Sequence, residues 1–315
     1  MWYYWYGDMM QGRILSGVGG NYQVLVNDEV VVCKASGRLR NVRIDEDSKF
    51  NVPNKNKNKN KIETSYVKIS PKAGDIVDVD LEQKYILDIH KRKNEMIRPD
   101  IANVDQIILL CSAKRPDFSY YLLDLFLANI CLEGIEAIIC VSKVDLLTDL
   151  EFKELSEGLE YYKNIGYKVF FINSKQPTTL NSVEELLHDK ISVLAGQTGA
   201  GKSSFINAIL PGFKLQTNDI SEALNRGKHT TRATSLYKAY GGFIGDSPGF
   251  SKLDLFNLKN KSLSDLFIEF KKYPCKFSDC NHQENIKGCS VCEAVKQGLI
   301  KKSRYENYLK MLKEK

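Results

Sequence analysis

Residues 196–203 read Gly-Gln-Thr-Gly-Ala-Gly-Lys-Ser, and no other stretch restricts the fold of the chain as tightly. The pattern G-x-x-x-x-G-K-S is a phosphate-binding loop, which works only between a strand and a helix. Both flanks comply. Residues 191–195 are a short apolar run, as in a buried parallel strand. Residues 204–210 carry apolar side chains at helical spacing, and Pro211-Gly212 ends them. In that setting the backbone N–H groups of Gly196, Gln197, Thr198, Gly199, Ala200 and Gly201 cup phosphates, aided by the dipole of the helix N-terminus. Lys202 then reaches the β- and γ-phosphates, and Ser203 offers its hydroxyl to Mg²⁺.

The 315 residues suffice for two or three domains. No apolar run reaches the length of a membrane span, and residues 1–6, aromatic but without a basic leader, are no signal peptide. These features predict a cytoplasmic protein without a membrane partner. A net charge of +6 fits either an acidic partner such as nucleic acid or ordinary solubility.

Residues 1–98 hold short strand-like runs separated by turn residues, which predicts an OB-type β-barrel able to bind RNA. Arg38, Arg40 and Arg43 could contact phosphate or merely protect a strand edge. Residues 54–61 alternate Asn and Lys and read as a loop tip with nothing to bury. The basic run His90-Lys91-Arg92-Lys93 is either a linker or part of a nucleic-acid face.

From about residue 99 the pattern changes to alternating β and α segments, hence a doubly wound α/β domain over 99–255. The run 137–141 ends in Ser142-Lys143-Val144-Asp145, past the carboxyl end of a strand, where such sheets place ligand-reading loops. An Asp there accepts from the N1–H and N2–H₂ groups of guanine, a donor pair adenine lacks. Asp145 therefore reads a guanine nucleotide, with the stem of Lys143 covering the base. Ser142 occupies a place that the N/T-K-x-D pattern gives to Asn or Thr, which predicts weaker bracing of the loop. Asn173-Ser174-Lys175, after the strand-like run 169–172, resembles the S-A-K loop whose backbone N–H meets the guanine O6. Downstream, His229-Thr230-Thr231 lies in a polar stretch, where a threonine, Thr231 in our reading, can reach Mg²⁺ and the γ-phosphate. Asp246-Ser247-Pro248-Gly249 follows a strand. Asp246 would hold the magnesium shell, and the Gly249 N–H would meet the γ-phosphate. Phe250 stands where many GTPases carry the glutamine that orients water, which predicts slow unaided hydrolysis. His229 is the internal candidate for that task, or else a surface histidine. Because the base-reading loops precede the phosphate loop, the domain is circularly permuted. The Asp246–Gly249 segment is then joined directly to residues 256–315, which it is expected to move.

That last region contains Cys275-x₄-Cys280-x-His282-x₆-Cys289-x₂-Cys292. Three thiolates and an imidazole make a closed tetrahedral Zn²⁺ site. Cys275, Cys280, His282 and Cys289 are the preferred ligands, with Cys292 in place of His282 as the alternative. A final helix over about 292–313 carries Lys296, Lys301, Lys302, Arg304 and Lys310, either along RNA or as a solvated face.

Together these features resemble the circularly permuted GTPases of bacterial small-subunit assembly, the RsgA (YjeQ/YloQ) family. The resemblance rests on Gly37-Arg38-Leu39-Arg40, Gly74-Asp75, Arg98-Pro99 and residues 102–106. It includes Lys143-x-Asp145-Leu146, the phosphate loop through Ser203-Ser204, His229-Thr230-Thr231, Asp246-x-Pro248-Gly249-Phe250 and the cysteine–histidine cluster. Ser142, Lys228, the six residues between His282 and Cys289 and the Asn/Lys insert depart from the family pattern. The resemblance implies a monomeric GTPase that binds GTP and GDP with Mg²⁺. It also implies binding to the 30S ribosomal subunit and its 16S rRNA late in maturation, faster hydrolysis there and release afterwards. A nucleotide-gated RNA-binding module with negligible turnover and a P-loop ATPase or kinase are the rival readings. Lys143-Val144-Asp145 argues against the second.

Overall fold

The structure is a computed structural model and describes residues 9–40, 42–44, 65–67, 69–97, 99–210, 234–246, 262–277, 279–284 and 286–314. The first strands are β1 Met9–Val18, β2 Asn21–Val26 and β3 Glu29–Ala35, followed by the short antiparallel pair β4 Val42–Ile44 and β5 Ser65–Val67. With β6 Ile76–Asp80 and β7 Tyr85–Ile89 they form a closed barrel in the order β1-β2-β3-β7-β6. Only the β3–β7 pairing is parallel, as in an OB fold. Period-two alternation sends Ile14, Val24, Val26, Val77 and Val79 inward, and a shift in the β6–β7 register brings Ile86 and Ile89, three residues apart, to the same side, where all are buried together. The β2–β3 turn uses Asn27 and Asp28, both at positive φ, the twist that a two-residue hairpin needs.

Between barrel and next domain, β8 Glu95–Met96 pairs with β9 Ile101–Ala102. The basic run turns inward here. Arg92 pairs with fully buried Asp75 (Nε to Oδ1, 2.8 Å), Lys93 with Asp105 at 2.7 Å and His90 with Asp78 at 2.8 Å. Three of its four side chains are thus engaged within the protein.

The central sheet contains β10 Gln106–Ser112, β11 Glu136–Ser142, β12 Lys168–Phe171, β13 Ile191–Ala195, β14 Ser235–Ala239 and β15 Gly242–Asp246. Their order is β12-β11-β10-β13-β15-β14, and all pairings are parallel except β14 with β15. Strands buried on both faces sort their side chains into two cores. On one face Ile107, Leu109, Ile139 and Val141 meet α1 (Tyr120–Glu133) and α2 (Asp149–Ile165) through Leu123, Phe126, Leu159 and Tyr162. On the other, Ile108, Leu110, Ile138 and Leu194 meet α3 (Asn181–Leu187) and α4 (Lys202–Ile209). Ser119 and Thr148 cap the starts of α1 and α2, and Gly134 and Gly166 at positive φ end them. The helix after β10 and the helix after β13 leave on opposite faces. The crevice between these strands is therefore a topological switch point, the ligand position of a doubly wound sheet.

Residues 262–314 pack as a third unit. Two 3₁₀ turns, Leu263–Leu266 and Ile268–Lys272, and two helices, Ser290–Lys296 and Lys302–Glu314, bury Phe267, Phe270, Val291, Tyr305 and Tyr308 together with Ala128 and Leu132 of α1. The single helix expected over 292–313 is broken. Gly298 at φ 74° lies in the left-handed region and turns the chain between the two. Among the described residues, no helix is long and apolar enough to cross a membrane.

Candidate functional site: nucleotide crevice and metal-ligand cluster

The glycine loop leaves β13 and passes beneath the end of β10 so closely that a Cβ on Gly196 would lie 2.1 Å from the Leu110 carbonyl oxygen. Gly196 holds φ 133°, Gly199 79° and Gly201 90°, conformations that L side chains resist. Sequence thus dictates shape here, since only glycines allow the chain to curl with its N–H groups inward. Gly201 starts α4, so Lys202 and Ser203 fall in the first helical turn. The Lys202 ammonium donates to the carbonyls of Gly196 (2.7 Å) and Gln197 (3.0 Å), folded over the mouth of the loop.

The base-reading loop adjoins it. Ser142, at the end of β11 and buried, donates its hydroxyl to the Ala200 carbonyl at 2.6 Å. β11 lies close enough to the phosphate loop for the shorter serine side chain to reach it. Lys143 adopts φ 58° and donates its ammonium to the carbonyls of Gly199 (2.6 Å) and Arg115. Its stem thereby stretches across the phosphate loop to the loop that follows β10. Asp145 sits in a 3₁₀ turn, and one of its carboxylate oxygens accepts from Lys175 at 3.1 Å. The Ser174–Lys175 loop is ordered by Asn173, a buried side chain whose Oδ1 accepts from the Lys175 N–H at 3.0 Å.

Ser142, Lys143, Asp145, Ser174, Lys175 and the glycine loop through Ser204 are therefore gathered at the carboxyl ends of β11, β12 and β13. The backbone of Asp246 joins them at the end of β15, in register with Leu194 of β13. His229, Thr230, Thr231, Gly249 and Phe250 lie outside the described residues. Sequence reasoning missed Arg115, and it placed Asn173 in the Asn173-Ser174-Lys175 loop without foreseeing that its side chain orders that loop. The role of Arg115 runs through its carbonyl and left no side-chain signal. Asn173 could have been suspected as a polar residue closing an apolar strand.

In the C-terminal unit the ligand atoms of Cys275, Cys280, His282 and Cys289 all lie within 4.8 Å of one another. The Cys275 sulfur is 3.7 Å from that of Cys289 and 3.4 Å from His282 Nδ1, which lies 3.5 Å from the Cys289 sulfur. Such a cluster can hold a metal ion. Burial holds the His282 pKa below its ordinary value, favouring the neutral imidazole that ligates. Cys292 points away, its thiol donating to the Gln283 carbonyl at 3.2 Å, while its backbone N–H donates to the Cys289 sulfur at 3.4 Å. The alternative with Cys292 in place of His282 is thus not the arrangement adopted.

Arg304, expected on a helix face open to RNA or solvent, is 1 % exposed and paired with Asp124 of α1 and with Glu269. Lys301 donates to the Gly158 carbonyl of α2 at 2.9 Å. Lys296, Lys302 and Lys310 of the same segment are exposed.

A doubly wound sheet with a glycine phosphate loop at its switch point, base-reading loops earlier in the chain and a flanking barrel defines a circularly permuted P-loop nucleotide hydrolase. Residues 89–256 match the RsgA GTPase family. A small ribosomal subunit biogenesis GTPase RsgA from Halalkalibacterium halodurans is 39 % identical, over 97 % of each chain. One from Bacillus subtilis is 38 % identical with the same coverage. Among solved structures, YjeQ from Thermotoga maritima aligns with a TM-score of 0.77 at 31 % identity, covering 97 % of this chain and 98 % of that one. YloQ, described as a circularly permuted GTPase, aligns at 0.75 with 32 % identity, covering 100 % and 97 %. The chain belongs to the RsgA GTPase family, and it is a GTPase.

Proposed function

We propose that this GTPase binds the 30S ribosomal subunit through 16S rRNA, assists its late maturation and leaves after hydrolysing GTP. The observation that carries the nucleotide part is the Ser142–Ala200 hydrogen bond, which joins the guanine-reading loop to the phosphate loop as one crevice despite their reversed order. The names of the relatives support the ribosomal part. Residues 1–98 form the RNA-binding barrel, 99–255 the GTPase domain and 256–315 the metal-binding domain. The protein acts as a cytoplasmic monomer.

In the crevice, Asp145 accepts the guanine N1–H and N2–H₂, while the Ser174–Lys175 loop meets O6. The loop amides and Lys202 hold the phosphates and stabilise charge as the γ-phosphoryl transfers. Ser203, Thr231 and Asp246 would hold Mg²⁺, which would supply positive charge to the phosphates as the transition state develops. Phe250 cannot orient water, so the isolated chain is slow, and His229 takes that role on the ribosome. The cluster takes Zn²⁺. A tetrahedron with sulfur about 2.3 Å from its centre has edges of about 3.8 Å, close to the 3.7 Å between the Cys275 and Cys289 sulfurs.

Steady-state GTP hydrolysis with and without purified 30S subunits tests the proposal. Stimulation of at least about tenfold is expected from a partner that completes a site, and unchanged turnover would remove the ribosomal claim. With Asp145→Asn, preference is expected to move from GTP to xanthosine triphosphate.

A further inference from the structure

The barrel and the C-terminal unit are fastened to the GTPase domain in different ways. On the barrel side a close main-chain contact is joined by polar side chains, among them Asn103, whose Nδ2 donates to the Gly74 carbonyl at 3.0 Å, and Lys72, which meets Asp100 at 3.0 Å. The Ala102 N–H donates to the Ala73 carbonyl at 2.8 Å, and a Cβ on Gly74 would lie 2.1 Å from the Ala102 carbonyl oxygen. Ile101, fully buried beside Ala102 in β9, carries this contact to the β14–β15 hairpin. A Cβ on Gly245 would sit 3.7 Å from Ile101 Cδ1 and 3.1 Å from Leu236 Cδ2, and Gly245 immediately precedes Asp246. Two looser contacts flank it. Lys238 of β14 meets Asp28 of the β2–β3 turn at 2.5 Å, and the Arg13 guanidinium lies 5.4 Å from the Phe243 ring centre. Beside them lies a cleft of about 550 Å³, lined in part by Arg13, Lys190, Gly242 and Phe243. The open space beside this seam leaves room for a small shift of the hairpin against the barrel.

On the other side, Arg304 is enclosed between Asp124 and Glu269. Asn307 and Tyr162 also donate to Asp124, at 2.6 and 2.7 Å. Ala128 and Leu132 of α1 belong to the same core as Phe267 and Tyr308. Sliding this contact would separate charges in a low-dielectric interior, leaving each without its partner. Such a joint is rigid.

We infer that the β14–β15 hairpin relays the nucleotide state to the barrel through Ile101, while the C-terminal unit stays fixed to α1 throughout the cycle. The direct link through residues 247–261 suggested the opposite, that the state moves the C-terminal unit. The hairpin spans the sequence between the two stretches assigned to the γ-phosphate, 229–231 and 246–249, so any rearrangement of either pulls on it. The inference rests on that assignment and on nucleotide binding in the crevice.

Hydrogen exchange of the full, metal-loaded chain with GDP and with a non-hydrolysable GTP analogue tests it. Residues 196–204 are expected to be protected by both nucleotides. Exchange at 72–76 and 99–103 is expected to differ at least about twofold between them, and at 120–133 and 302–314 not to differ. Ile101→Val deletes the Cδ1 atom that faces Gly245 and leaves the rest of the side chain. It is expected to cut the difference at 72–76 by half or more, with protection at 196–204 unchanged. A crevice unprotected by either nucleotide would overturn the nucleotide reading, and this inference with it. Protection at 196–204 with no difference at 72–76, a difference at 302–314, or an Ile101→Val chain that behaves as the parent would each overturn the relay alone.

Discussion

In the crevice above β13 the groups aimed at the ligand belong mainly to the backbone, whereas in the C-terminal unit they are side chains. Gly196, Gly199 and Gly201 hold their positive φ because β10, β11 and β13 surround the loop, and Ser142 and Lys143 tie it to its neighbour. These contacts brace the loop from within the protein. The cluster of Cys275, Cys280, His282 and Cys289 brings four ligand atoms within 4.8 Å. Once ionised, its thiols repel one another, and only a cation reconciles them. A backbone cradle is thus set beside a side-chain cluster that could hold a metal ion. Arg304 joins the two halves through α1.

The sharpest way to break this comparison is to remove the ion. Chelation, or Cys289→Ala, is expected to forfeit binding energy on the order of 10 kcal/mol and to unfold residues 262–314. Nucleotide affinity should stay within a few-fold. Metal content, near-ultraviolet dichroism and nucleotide titration on one sample check this, and affinity lost in parallel with structure would show that the crevice is not self-supporting.

Arg304→Met probes the joint. It strands Asp124 and Glu269 as buried unpaired charges, at a cost of about 3–5 kcal/mol in denaturant unfolding. Burial already raises the Asp124 pKa above its ordinary value, with Arg304 opposing the shift. Adding Asp124→Asn and Glu269→Gln is expected to recover most of the loss, since the repaired interior carries no charge.

Gly196→Ala strikes the cradle alone. The added methyl group meets the Leu110 carbonyl at a backbone angle that alanine resists. GTP affinity is expected to fall by about 2 kcal/mol or more, roughly thirtyfold in Kd, with metal content unchanged. Ser142→Ala removes one hydrogen bond and leaves the Ala200 carbonyl without that partner. A loss of about 1 kcal/mol, roughly fivefold in Kd, is expected.

How much was legible follows from how local each feature is. The glycine loop is eight contiguous residues whose flanks announce strand and helix, and the cluster is read from spacing within 18 residues, Cys275 to Cys292. Arg304 was misread because its partners stand 180 and 35 positions away, and a charged residue on a helix reads as solvated until they are in place. The same holds for Arg92, whose partner Asp75 lies 17 positions back in a barrel loop. The break at Gly298 was visible, but a lone glycine in a helical pattern signals weakly.

By itself, the sequence determined which segments become strand, loop and helix, and which residue types could meet phosphate, guanine and metal. These depend on backbone conformation and on chemistry within a few residues. Tertiary structure alone decided that Ser142 spans the gap to Ala200, that Cys292 turns aside and that Arg304 is enclosed. Each depends on distances between segments far apart in the chain, and those distances exist only once the hydrophobic cores have closed.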